Sequence, residues 1–257
     1  MSRLRSEKDK CLILVKALPH RSSNYFETVC CAGIGQDGRW RRQYPVPYRV
    51  LADSQRFKRW DWIEYEYTDP GHDDRQESQK VVPESIKVVD SLGSSKRARA
   101  LSTFIRTSTL EAEQRGESLT LLRPSDVSFS WREKSDSELT EEKRKHDELA
   151  RQASFFDEAV STLTPCPYEF KFAWTDELGN KHRNTSDDWE TSAAFFNRRR
   201  SLGTELEALN SLKTTYEEEY PSKGMAFAMG THSRFKATWL LVGVIRLDEI
   251  RTPDLFA

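Results

Sequence analysis

Between Gly38 and Arg59 the sequence places Arg39, Arg41, Arg42, Arg49, Arg56, Lys58 and Arg59 against the single acid Asp53, with Trp40, Tyr44, Tyr48 and Phe57 among them. Guanidinium groups neutralise phosphates and aromatic rings stack on unpaired bases, so residue types paired this way point to nucleic-acid binding. Arg39, Trp40, Arg41, Arg42 and Arg49 are the first candidates for that contact. An extended strand puts Arg39 and Arg41 on one face and Trp40 and Arg42 on the other. The cations therefore cannot all meet one ligand, and the plainer reading makes the rings core and the arginines solvated. Lys96, Arg97, Arg99 and Arg106 form a second basic group, and Arg198, Arg199 and Arg200 a third. Acid runs at Glu138–Glu142 and Glu217–Glu219 offset them, a segregation that directs a field toward a polyanion.

A second chemistry is hydrolytic. His182, Asp187, Asp188 and Glu190 lie close in sequence, and with His232 they offer ligands for Mg or Mn in phosphodiester cleavage. Their spacing is not the strand-borne pattern of restriction-type nucleases, and Asp187 and Asp188 also stand where a helix needs a cap. The turn Gly230–Arg234 sets His232 and Arg234 among small residues between apolar strands, a setting for a phosphate or a flipped base. No G-x-S-x-G, Walker or dinucleotide fingerprint occurs. Cys11, Cys30, Cys31 and Cys166 include no C-x-x-C pair, so they read as small buried hydrophobes and no metal site is expected. The expectation is therefore no cofactor, with Mg or Mn entering only in the nuclease case.

These residues need a folded frame, and 7 Trp, 13 Phe and 8 Tyr in 257 residues supply one despite 32% charged residues and a net charge of −1. The longest apolar stretches, Cys11–Val15 and Thr238–Ile245, fall far short of the roughly 20 residues that cross a bilayer. The charged segment Met1–Lys10 does not resemble a secretory signal. A cytoplasmic protein that does not span a membrane is expected.

Strands are expected at Cys11–Val15 and Phe26–Ile34, the latter turning through G-Q-D-G into Arg39–Tyr44, which Pro45 and Pro47 then end. Trp62–Thr68 alternates, with Ile63, Tyr65 and Tyr67 on one face. A loop at Asp69–Ser78 leads to a short strand at Pro83–Val89, and Leu101, Phe104, Ile105 and Leu110 suggest one or two helices within Lys96–Arg115. Val127–Trp131 reads as a strand, and Arg132–Gln152 as a charged, solvated helix. Tyr168, Phe170, Phe172 and Trp174 share one strand face. A helix capped near Asp188 carries Trp189, Phe195 and Phe196 and stops at Gly203, and an amphipathic helix spans Thr204–Tyr220. Met225–Met229 and Thr238–Leu247 close the chain as strands.

The segments G-R-W-R-R-Q-Y-P-V-P-Y-R (Gly38–Arg49) and M-G-T-H-S-R-F (Met229–Phe235) resemble a group of bacterial and archaeal proteins, and residues 11 to 90 resemble the OB-type or PUA-like β-barrels of nucleic-acid-binding proteins. The resemblance implies a role in prokaryotic genome defence or nucleic-acid metabolism. Such relatives can carry a Cys and His cluster near the region matching Trp174–His182, where this sequence keeps only His182. The expected fold class is α+β: a barrel-like module at 1–125 (OB or PUA-like), a charged helical connector at 126–152, and an α+β module with a small antiparallel sheet at 153–257. The expected function is a nucleic-acid-binding accessory protein. A metal-dependent nuclease is one alternative. Another is an interaction subunit whose acidic helix, Glu205–Glu219, docks a larger enzyme.

Overall fold

The structure is a computed structural model that describes residues 6–18, 20–21, 27–49, 51–71, 73–154 and 164–249. Along the chain the elements run β1 (Glu7–Lys16), β2 (His20–Arg21), β3 (Glu27–Gly35), β4 (Trp40–Val46), β5 (Asp61–Thr68), β6 (Ser78–Ser91), α1 (Arg97–Leu101), β7 (Ile105–Arg106) and α2 (Thr109–Gln114). They continue as β8 (Leu119–Leu122), β9 (Ser125–Glu133), α3 (Asp136–Ser154), β10 (Tyr168–Thr175), β11 (Lys181–Thr185) and α4 (Trp189–Leu202). The last are α5 (Glu205–Thr214), α6 (Tyr220–Ser222), β12 (Met225–Thr231) and β13 (Trp239–Arg246). The architecture is α+β, and the chain divides into two compact units, residues 1–91 with 133–169 and residues 92–132 with 170–257.

In the first unit β1, β5, β6, β4 and β3 neighbour one another in that order, and β3 returns to β1 to close a five-stranded barrel. Every pairing in the ring is antiparallel except β4 with β6. Closure depends on β1 serving two partners: Glu7–Leu12 pair with β5 and Cys11–Lys16 with β3, the latter with an irregularity between Ile13 and Val15. Gly33 lies where these strands crowd. A Cβ there would stand 2.0 Å from the Leu12 carbonyl oxygen, so the close approach admits only glycine. The alternation of β5 buries Ile63 and Tyr65 and exposes Glu64.

Two expectations for this unit change. β4 runs through Pro45 to Val46, because Pro45 falls between the Val46–Val29 and Gln43–Cys31 pairs, where the register shifts and no ladder amide is required. Pro83–Val89 is the middle of the 14-residue β6. β6 pairs with β4 only over Ser78–Lys80, so Pro83 interrupts no ladder on that side. There the Gln55 amide, from a 3₁₀ turn at Asp53–Gln55, donates to the carbonyls of Pro83, Glu84 and Ile86. Phe26, the expected start of the second strand, lies outside the described residues.

The second unit holds a four-stranded sheet, β13-β12-β8-β7, and a three-stranded antiparallel sheet built on β10, in the order β11-β10-β9. The shared face expected on β10 is its core face. The Phe172 ring meets Phe129, Tyr216 and Phe227 at 5.1, 5.3 and 5.3 Å, and each fully buried ring of this kind contributes about 1.5–3 kcal/mol. α4 starts at its N-cap Asp188 and stops at Gly203, whose φ of 92° a side chain would resist. The helix expected at Thr204–Tyr220 is interrupted by a π turn at Thr215–Glu219, in which the Tyr220 N–H donates to the Thr215 carbonyl. Glu217 on that turn accepts a hydrogen bond from the Phe129 N–H at 2.8 Å. Leu110 is exposed, because a 3₁₀ turn and β7 separate α1 from α2 and leave Leu101 and Phe104, but not Leu110, in the core.

Candidate nucleic-acid interface

The arginine- and tryptophan-rich segment supplies both solvated and internal cations: Arg39, Arg56 and Lys58 are exposed, the others at least half-buried. Arg39 is 82% exposed. Trp40 is buried, and Arg42 is buried with its guanidinium 3.4 Å from Glu77. Arg41 donates through Nε to Asp9 Oδ2 (2.5 Å) and through Nη2 to Asp37 Oδ2 (3.0 Å), and its Nη1 reaches the Trp40 carbonyl (3.2 Å). Burial opposes its charge, but the hydrogen bonds to Asp9 and Asp37 outweigh that cost and raise its pKa. Arg49 is half-buried, and its carbonyl accepts from Arg56 Nη2. Within Arg39–Arg42 the structure therefore separates residues that composition groups together, and the Trp40 ring is not presented to solvent.

Arg41 ends a buried polar chain. Asp9 Oδ2 also accepts from Gln79 Nε2 (2.8 Å), Gln79 Oε1 accepts from the Tyr65 hydroxyl (2.5 Å), and that hydroxyl accepts from Gln43 Nε2 (3.2 Å). Burial pushes the Tyr65 phenol well above its usual range and the Cys11 thiol up to about 12. Gln43, Tyr65 and Gln79 are buried and bonded to one another, so this part of the chain holds strands in register.

The other basic groups are similarly committed. Arg97 pairs with Asp248, Arg106 with Glu117 (2.5 Å) and Arg199 with Glu205 (2.9 Å), while Arg198 bonds Ser211 and Thr215. Lys96, Arg99 and Arg200 remain exposed.

The hydrolytic candidates do not converge. Asp188 is 1% exposed; its Oδ1 accepts from the Glu190 N–H (3.0 Å) and its Oδ2 from the Val244 N–H (2.8 Å). It caps α4 and seals the edge of β13, where Ser186 bridges Leu241. His182 lies flat on Trp174, ring centroids 4.3 Å apart, with Nε2 2.9 Å from Asp176 Oδ2. Asp176 also accepts from the N–H groups of Leu178 and Asn180, which makes the pair a staple for the β10–β11 turn. Asp187 and Glu190 are half-buried. Among the described residues no three His, Cys, Asp or Glu side chains form a group that could hold a metal ion.

Two cationic surfaces escaped the sequence reading or were only partly seen. The first is the outer face of the three-stranded sheet. Since Phe129, Phe170, Phe172 and Trp174 point inward, the alternate positions Ser128, Ser130 and Arg132 on β9 and Lys171, Ala173 and Thr175 on β10 point outward. In register with these, Lys181, Arg183 and Thr185 of β11 stand opposite Thr175, Ala173 and Lys171. Arg132, Lys181 and Arg183 are exposed, and neither Lys181 nor Arg183 has an ion-pair partner among the described residues. Asp126 and Glu169 are the acids at these outward positions. The signal was a period of two in K-H-R-N-T, but with no large apolar residue on its inner face it does not stand out from loop sequence. The second surface is the β12–β13 turn. His232 there is half-buried and Arg234 exposed, and His232 Nδ1 accepts from the N–H groups of Arg234 (3.1 Å) and Phe235 (3.2 Å).

Two family models match the chain: Domain of unknown function (DUF8758) over residues 7–107, which contains the barrel, and Domain of unknown function (DUF8757) over residues 103–256. Comparison with curated proteins gives no match.

Proposed function

The chain belongs to the family described as Domain of unknown function (DUF8757), and from that premise and its own residues we propose that it is a nucleic-acid-binding protein. The observation that carries this reading is the open β face on which Arg132, Lys171, Lys181 and Arg183 stand among Ser128, Ser130, Ala173, Thr175 and Thr185. Cations two residues apart on a strand recur about every 6.8 Å. The small side chains between them leave room for a sugar–phosphate backbone to approach, and the positive field favours it.

The barrel adds support. Counted along the chain, its strands follow the order first, second, third, fifth, fourth, with third and fifth parallel, and this is the arrangement of OB-type modules, many of which bind oligonucleotides. Fold alone assigns no site, and the cation-bearing face is what specifies one here. Arg39 in the first unit and Arg234 in the second are the solvated members of the set first selected from the sequence, and each is a separate further candidate for a phosphate contact.

Fluorescence anisotropy with single- and double-stranded DNA and RNA over a salt series tests the reading. Replacing Lys181 and Arg183 together by Gln should weaken binding and flatten the plot of log K against log salt by about 0.7 to 0.9 for each phosphate that is no longer neutralised. An unchanged slope would remove this face from the interface.

A further inference from the structure

The turn between β12 and β13, residues 232–238, reads H-S-R-F-K-A-T and contains no carboxylate. Phe235 is 66% exposed, and Arg234 and Lys236 beside it are exposed too. A solitary surface phenylalanine is ordinary. This one is set in a fixed frame. His232 Nδ1 holds the amides of Arg234 and Phe235, the imidazole lies 5.1 Å from the phenyl ring at 32°, the Thr238 N–H donates to the Phe235 carbonyl (2.8 Å), and the His232 N–H donates to the Thr238 carbonyl (2.9 Å). The turn grows from β12, whose residues Met225–Thr231 are all buried. The ring thus projects into solvent from a buried, paired strand.

An exposed ring between two cations, on a turn held by its own hydrogen bonds, matches the chemistry of a nucleobase that has lost its stacking neighbour and carries a phosphate on either side. We propose that Phe235 is a stacking platform for an unpaired base, with Arg234 and Lys236 on the flanking phosphates, so that the ligand is a single strand or a duplex with an unstacked base. The inference rests on the nucleic-acid reading above and specifies its ligand. An anionic bilayer is the other surface that rewards such a tip, but one phenyl ring offers less apolar area than a single myristoyl chain, which by itself holds only marginally.

The test uses the full chain with a single-stranded oligonucleotide carrying 2-aminopurine and with the fully paired duplex of the same sequence, followed by anisotropy and by the probe's own fluorescence. Wild type should prefer the single strand and quench the probe. Phe235→Ala should weaken single-strand binding about tenfold, abolish the quench and leave duplex affinity and thermal stability unchanged, and Phe235→Trp should restore both. If Phe235→Ala quenches and binds the single strand as wild type does, the stacking role is wrong while the nucleic-acid reading stands. If wild type binds neither oligonucleotide, that reading fails and takes the stacking role with it. Phe235-dependent flotation with phosphatidylserine vesicles, without oligonucleotide binding, would reassign the tip to a membrane.

Discussion

At the scale of single residues, the contrast between Arg41 and Arg183 shows how little residue type says about availability. Both are strand arginines. Arg41 is fixed between Asp9 and Asp37, and Arg183 stands exposed on an outer face. The carboxylates that claim Arg41 lie 32 and 4 positions away, and only the register of β1 against its neighbours brings Asp9 there. Arg41→Ala is therefore expected to destabilise the barrel and to leave the salt dependence of nucleic-acid binding unchanged. Tyr65→Phe tests the same chain from its other end. Removing the hydroxyl strands Gln43 Nε2 and Gln79 Oε1 in the interior, so urea denaturation should register a loss of about 1–3 kcal/mol. Strand alternation placed Arg39 and Arg41 on one face and Trp40 and Arg42 on the other; it could not reveal that Arg41 and Arg42 were already paired, because pairing is a property of tertiary contacts.

At the scale of elements, legibility followed the strength of the local pattern. β5, β10 and α4 were readable because alternation or capping is written in consecutive residues: Ile63 and Tyr65, Phe170 to Trp174, Asp188 to Gly203. β8 and β11 were missed for opposite reasons. Leu119–Leu122 is buried at every position, so it shows no period, and Lys181–Thr185 has only His182 and Asn184 turned inward. The π turn was hidden as well, since Tyr216 stays at helical spacing while the hydrogen bonds widen around it. Asp188 ties two elements together, α4 and β13. Asp188→Ala should cost about 1 kcal/mol as a lost cap and about 1–3 kcal/mol more for the Val244 amide left without its acceptor. A urea midpoint indistinguishable from wild type would show that this residue is not the clamp described here.

At the scale of the whole molecule, acid should act on both units. In the first, burial pushes the Asp73 carboxyl up, but hydrogen bonds from Arg75 and Ser78 together with the Arg75 charge outweigh it and bring it down to about 2. In the second, burial again opposes ionisation of Asp176, and hydrogen bonds from His182 and Asn180 lower it below the ordinary 3.8. A folded-state value below the unfolded one contributes stability that is complete above about pH 4 and disappears as the pH falls toward about 2. Stability should therefore drop across that window, and Asp73→Asn should flatten the dependence; an unaltered slope in the variant would mean that Asp73 contributes nothing to it. The parallel seam of the barrel bears on how the chain comes to be folded at all. β4 ends at Val46, but the segment that pairs with it begins at Ser78 and meets it over only three residues, Arg42 to Tyr44. The hairpin of β3 and β4 can form as soon as it is synthesised, whereas the seam must wait for a loop of about thirty residues to close, which is entropically slower. Until β6 leaves the ribosome, one edge of β4 is open to any passing strand, and a chain interrupted before Ser78 would keep that edge open permanently.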